Sequence, residues 1–184
     1  MKLADIETVG NVDEEEWRNN IRHSSSLPLP WLERAPAHDG VVLLCGGAPS
    51  LADSVDELRW RQELGQKIVA INNTARWLVD RGLLPDYQFM IDALPQSADY
   101  VFGGPWVHVL ASQCHPDVFA NLRGAEALLF HMPDVENLEN CLPENRRGGF
   151  SMIGGGRSGR AAWSGARSTA AGGSSRPRAR GSWR

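Results

Sequence analysis

Five apolar residues, Val41–Val42–Leu43–Leu44–Cys45, run directly into Gly46–Gly47, and Ala48–Pro49–Ser50–Leu51 then opens an amphipathic stretch. No other segment restricts the fold as strongly. An apolar run without polar interruption reads as a strand covered on both faces. Proline suits the first turn of a helix. Ser50 followed by Asp53 has the spacing of a capping box in its Asp form, and Leu51, Val55 and Leu58 mark one apolar helix face. Strand, glycine turn and helix start together present backbone N–H groups to an anion. The expected ligand is a nucleotide or another phosphate-containing molecule. The turn is neither the dinucleotide GxGxxG nor a P-loop, whose lysine is absent. From this turn alone, a βα connection without a ligand is an equally good reading.

The pattern then repeats. Lys67–Ile71, Tyr87–Ile91, Trp106–Ala111 and Ala127–Phe130 read as further strands. Thr74–Arg81 and Pro116–Leu122 read as helices between them, with Asn72 or Asn73 as a cap for the first and Gly65 and Gly82 as helix stops. Strands alternating with helices across short loops imply parallel pairing. The predicted class is α/β: an open, doubly wound, Rossmann-like, mostly parallel sheet, incomplete at its C-terminal end. In such sheets ligands bind beyond the carboxyl ends of the strands. Here those ends are Gly46–Gly47, Asn72–Asn73, Asp92, Ser112–Gln113 and His131, and all are expected to face one crevice. Asp92 is placed there as a Mg²⁺ ligand or ribose contact. Asp86, after Pro85, falls at the opposite end of its strand and reads more readily as a turn former. His115 and His131 are the possible general bases, although an ordinary loop histidine is the commoner case.

Around this core the chain divides into residues 1–40, 41–156 and 157–184. The first part reads as a helix over Asp13–Arg22, stopped by Ser24–Ser26, and an extended arm over Leu27–Leu32 where Pro28 and Pro30 prevent a helix. Trp17 and Trp31 are expected to pack this arm on the main domain. The second part is the nucleotide-binding domain. It ends in a second glycine loop, Gly148–Gly156, whose Gly154 and Gly155 are expected to face the first. The last part contains seven arginines, no acid and no Leu, Ile or Val, so it cannot bury a face and reads as a disordered tail of frameshifted type. Without it, 12 basic residues stand against 22 acidic ones, a body charge of −10 that argues against nucleic-acid binding. Cys45, Cys114 and Cys141 have no zinc-site spacing and suit a reducing cytoplasm. No apolar run approaches the roughly 20 residues of a membrane span, and the acidic N-terminal segment is not a signal peptide.

The ordered set of motifs resembles a known family. The Gly46–Gly47–Ala48–Pro49–Ser50–Leu51 turn is followed by Ile68–Ile71 ending in Asn72, then Gly82–Leu83–Leu84–Pro85–Asp86 and a strand ending in Asp92. This order is similar to the 6-hydroxymethylpterin diphosphokinase-like domain, formerly a domain of unknown function. Flagellin-modifying motility accessory factors and, more remotely, bacterial sialyltransferases share its pattern, and small one-domain versions occur in phages and prophages. The resemblance covers about Val41–Gly156. It departs at Ala48, where the family usually has a third glycine, and after Gly156, where the family continues with a helix and a strand ending in Gly-x-Asp.

The resemblance implies that Gly46, Gly47, Ser50 and Asn72 bind nucleotide and that Asp92 assists, through Mg²⁺. Pro49, Asn73, Ser112, Gln113, Gly154 and Gly155 complete the expected nucleotide site. The implied activity is ATP- and Mg²⁺-dependent diphosphoryl transfer to a small hydroxymethyl acceptor. The alternative is a glycosyltransferase that uses a nucleotide-activated sugar. A truncated, catalytically inactive domain is a further alternative.

Overall fold

The structure, a computed structural model, describes residues 12–33, 39–132 and 138–146. Five strands, β1 (Val42–Cys45), β2 (Lys67–Ile71), β3 (Tyr87–Met90), β4 (Val107–Ala111) and β5 (Ala127–Phe130), form one open sheet in the order β1-β2-β3-β4-β5. Every pairing is parallel. The helices are α1 (Glu14–Ser26), α2 (Val55–Glu63), α3 (Thr74–Val79) and α4 (Pro116–Ala120), with short 3₁₀ segments at Pro49–Ser54, Pro95–Tyr100, Leu138–Cys141 and Glu144–Arg146. The open parallel α/β sheet expected from the alternation is the sheet observed. Its winding does not change direction among the described strands, so all five carboxyl ends lie along one edge of the sheet.

Two apolar clusters hold the layers together. Ile68, Ala70, Leu58, Ala75, Leu78 and Leu83 join β2 to α2 and α3. Met90, Val109, Leu110, Val118, Leu129 and Phe130 join β3, β4 and β5 to α4. Each fully buried Leu or Ile side chain contributes about 1.5–3 kcal/mol. The expectation that β1 is covered on both faces fails. Leu44 is 71% exposed and Val42 is also exposed, whereas Cys45 is buried. Among the described residues β1 is an edge strand with one open face.

Asp13 caps α1 as its sequence predicts, its carboxylate accepting from the Glu16 N–H at 2.8 Å. The serines do not stop that helix. It runs through Ser26, whose hydroxyl donates to the His23 carbonyl one turn back, while the single Ser24 hydroxyl proton is shared between the Ile21 carbonyl at 3.1 Å and the closer Ser112 carbonyl at 2.8 Å. The extended arm follows and reaches the outer edge of β5. The Leu129 N–H donates to the Pro30 carbonyl at 2.8 Å and the Leu32 N–H to the Leu129 carbonyl at 2.6 Å. Trp17 and Trp31 pack against buried Ile21, Leu138 and Leu142. At the other end of the sheet, Asp86 accepts from Lys67 Nζ at 2.7 Å and from the Ile68 N–H at 2.9 Å. It clamps the starts of β2 and β3 together and is remote from the carboxyl edge.

Candidate functional site

The carboxyl edge is in two different states along its length. At β4 and β5 it is closed by α1. The Ser24 hydroxyl donates to the Ser112 carbonyl at 2.8 Å, and Asn20 Nδ2 donates to the Gln113 carbonyl at 3.1 Å. Beneath that helix, Ser112 Oγ pairs with His131 Nδ1 at 2.8 Å and with Gln113 Oε1 at 3.1 Å, and Gln113 Nε2 donates to the Met132 carbonyl. All three side chains are buried. Ser112 and Gln113 are therefore engaged in holding α1, β4 and β5 together and offer no open polar surface to a nucleotide. Burial lowers the His131 imidazole pKa to about 4, so it is neutral at pH 7. His115 is the N-cap of α4, where its Nδ1 accepts from the Asp117 N–H at 3.2 Å.

At β1, β2 and β3 the edge is open among the described residues. Gly46, Gly47, Ala48, Pro49 and Ser50 are all exposed, as is Asn73, and Asn72 and Asp92 are half-buried. The capping box does not form here. Ala48 takes the N-cap position with φ −70° and ψ 145°, and the first six residues, Pro49–Ser54, are 3₁₀ before α2 starts at Val55. Ser50 thus lies inside the first turn and caps nothing, which leaves its hydroxyl exposed. The local cause is composition: Pro49, Ser50, Asp53 and Ser54 are weak α-formers, and Ala48 has no side-chain acceptor with which to fix a regular first turn.

The glycines of this turn are unexplained by the fold. Neither Gly46 nor Gly47 has a positive φ. Among the described residues a Cβ on Gly46 would meet nothing within 4 Å, and one on Gly47 would make only an ordinary contact, 3.7 Å, with Thr74 Oγ1. Gly104 shows the contrast, because a Cβ there would collide with the Trp106 ring. Neither backbone conformation nor packing requires glycine at position 46. Among the described residues there is room for another group to approach its backbone.

Asn72 follows β2, the strand paired with β1. Its φ of 48° is left-handed, a conformation that Asn tolerates better than other residues with a side chain. The expected helix cap is absent. Asn73 holds the N-cap position of α3 but its side chain makes no capping bond. Asn72 is fixed through its backbone instead: its N–H donates to the Phe89 carbonyl at 2.8 Å, and Gln88 Nε2 donates to its carbonyl at 2.9 Å. Gln88 also donates to the Tyr100 carbonyl at 2.9 Å. The Asn72 side-chain oxygen lies beneath the surface with no partner among the described residues. A buried acceptor of this kind costs free energy until a donor reaches it. Gln88 is the residue that sequence reasoning missed. Its signal was a single amide inside the apolar strand Tyr87–Gln88–Phe89–Met90.

Asp92 closes the open stretch after β3, and its carboxylate accepts from the Leu94 N–H at 3.1 Å. The described residues contain no group of three His, Cys, Asp or Glu side chains able to hold a metal ion. A Mg²⁺ ion at Asp92 would therefore depend on ligand phosphates for much of its coordination. Gly154 and Gly155 lie outside the described residues, as do the second glycine loop and the Arg-rich tail. Among the described residues no helix is long and apolar enough to cross a membrane.

No family model and no curated protein matches this chain. Among solved structures it is similar to the MAf glycosyltransferase from Magnetospirillum magneticum AMB-1, with a TM-score of 0.52 and 15% sequence identity over 66% of this chain. The similarity covers 20% of that protein's length, so this chain corresponds to about one fifth of it. At this identity the likeness is one of fold: the open parallel sheet described here is of the kind found in that glycosyltransferase.

Proposed function

We propose that this chain binds a nucleotide-activated sugar at the carboxyl ends of β1, β2 and β3, as part of a glycosyl-transfer function. The observation that carries the reading is Gly46, an exposed glycine that neither φ nor the described neighbours demand, at the end of the strand paired with the one that leads into Asn72, whose side-chain oxygen has no partner among the described residues. The fold it shares with a glycosyltransferase supports the sugar-nucleotide reading over the diphosphokinase-like one. In such a transfer the acceptor oxygen bonds to the anomeric carbon and releases its proton to solvent as the bond from that carbon to the phosphate oxygen breaks, and negative charge grows on the departing nucleotide. The Gly46–Ser50 turn would receive that charge through backbone N–H groups and the Ser50 hydroxyl. Asn72 would accept from a ribose hydroxyl or a base N–H, with Asn73, Pro49 and Asp92 completing the wall.

A thermal-shift panel tests this directly. The full chain should be stabilised by a CMP- or UDP-sugar without added metal. With ligand at about 100 times its Kd, the gain should be about 2.7 kcal/mol. Stabilisation by ATP only in the presence of Mg²⁺ would replace this reading with the diphosphokinase-like one. Stabilisation by none of them would favour the inactive-domain alternative.

A further inference from the structure

A separate cavity of about 550 Å³ lies between α1 and the Leu138–Cys141 segment, lined by Arg18, Arg22, Ser25, Ser26, Asn140 and Cys141, with Leu142 and Pro143 closing it. Its size suits a small ligand. Its floor is firm, because Ile21, Leu138 and Leu142 are buried beneath it. Among the described residues its lining contains two guanidinium groups and no carboxylate. Both arginines pair outside the lining. Arg18 pairs with Glu14, and Arg22 meets Glu15 at 3.3 Å and Asn19 Oδ1 at 3.0 Å. These are exposed pairs, worth little in water and open to competition. Two polar atoms of the lining residues, Arg18 Nε and Ser25 Oγ, are shut off from solvent with no partner among the described residues. Buried donors of this kind are normally satisfied.

We propose that this pocket binds a small molecule through an oxyanion group, a phosphate or a carboxylate, held by Arg18, Arg22 and Ser25. Guanidinium groups match either anion by paired N–H donors. The site is independent of the glycine turn and stands whether or not a nucleotide sugar binds there.

Cys141 provides a local readout. It is half-exposed in the pocket wall, whereas Cys45 and Cys114 are buried. Its rate of alkylation by iodoacetamide, a neutral reagent, is followed by mass spectrometry on the full chain. Inorganic pyrophosphate and citrate serve as the two probes, with sodium chloride at matched ionic strength as the control. Saturable slowing of Cys141 alkylation is expected with at least one probe, and the probe that acts identifies phosphate or carboxylate chemistry. Arg22→Gln, at an exposed position, should raise the concentration needed by about tenfold, and Arg18→Lys should do so by removing the Nε donor while keeping the charge. If neither probe slows the reaction beyond the salt control, the proposal is overturned. It is equally overturned if Arg22→Gln, folded by circular dichroism, is protected as well as the parent chain.

Discussion

Gln88 and Asn72 show how one buried side chain sets the conformation of another. Gln88 is completely buried in β3 and supports the left-handed turn at Asn72 from below. Gln88→Leu keeps the volume but abandons the Asn72 and Tyr100 carbonyls. It should cost about 2 kcal/mol in urea denaturation, near the sum of two ordinary hydrogen bonds. Any nucleotide-sugar shift should shrink with it, because the Asn72 side chain would no longer be held. His131 gives a second residue-level expectation. Burial depresses its folded-state pKa to about 4 from an ordinary 6.5, so the unfolded chain binds more protons between those values. The stability it contributes is fully present above pH 6.5 and is lost as pH falls towards 4. Burial lowers the His108 pKa as well, which acts in the same direction. The total from His131 alone is about 3 kcal/mol. His131→Asn should flatten the stability–pH curve over that window, and an unchanged slope would show that His131 is not buried as neutral imidazole. The sequence marked His131, Asn72 and Asp92 as polar strand ends, but could not show which were covered. That depends on α1, which lies about ninety residues away from Ser112 and Gln113 in the chain.

At the level of elements, the strands and the starts of α1, α3 and α4 were legible, whereas the helix ends and the caps at Ser50 and Asn73 were not. β2 and β5 have the limits expected from their apolar runs, and the other strands differ only at their ends. Strand burial leaves a strong mark because it excludes polar residues from several consecutive positions. Helix ends and caps depend on single hydrogen bonds that competing geometries can replace. At Asp13 the expected cap forms; at Ser50 and Asn73 it does not. Exposure of β1 was equally hidden, since Val41–Leu44 reads as doubly covered but Leu44 faces open space. The most consequential element is α1, which closes the β4–β5 half of the carboxyl edge. Asp13→Ala should weaken it by about 1 kcal/mol through the lost cap. Ser24→Ala should cost about 1–2 kcal/mol through the Ser112 carbonyl left buried without its donor. Hydrogen exchange distinguishes these from global effects. Amides of α1 and of Ser112–Cys114 should lose protection first while β2 stays protected, and uniform loss across the sheet would contradict the clamp.

For the whole molecule, the parallel sheet places five strand ends on one edge and α1 divides that edge in two. The open half contains the glycine turn, Asn72 and Asp92; the closed half contains Ser112, Gln113 and His131. The likeness to a glycosyltransferase of known structure is one of fold, and the proposed nucleotide-sugar site lies in the open half. On the proposed function, Gly46 is a glycine for the sake of a ligand. The most direct measurement compares the parent chain with Gly46→Ala and Gly46→Val in thermal unfolding, with and without a CMP- or UDP-sugar. Without ligand, Gly46→Ala should be as stable as the parent or about 0.4–1 kcal/mol more so, since a Cβ meets nothing and the unfolded chain loses freedom. With ligand, the stabilisation seen in the parent should fall in Gly46→Ala and disappear in Gly46→Val. Equal ligand stabilisation in all three chains would contradict the account.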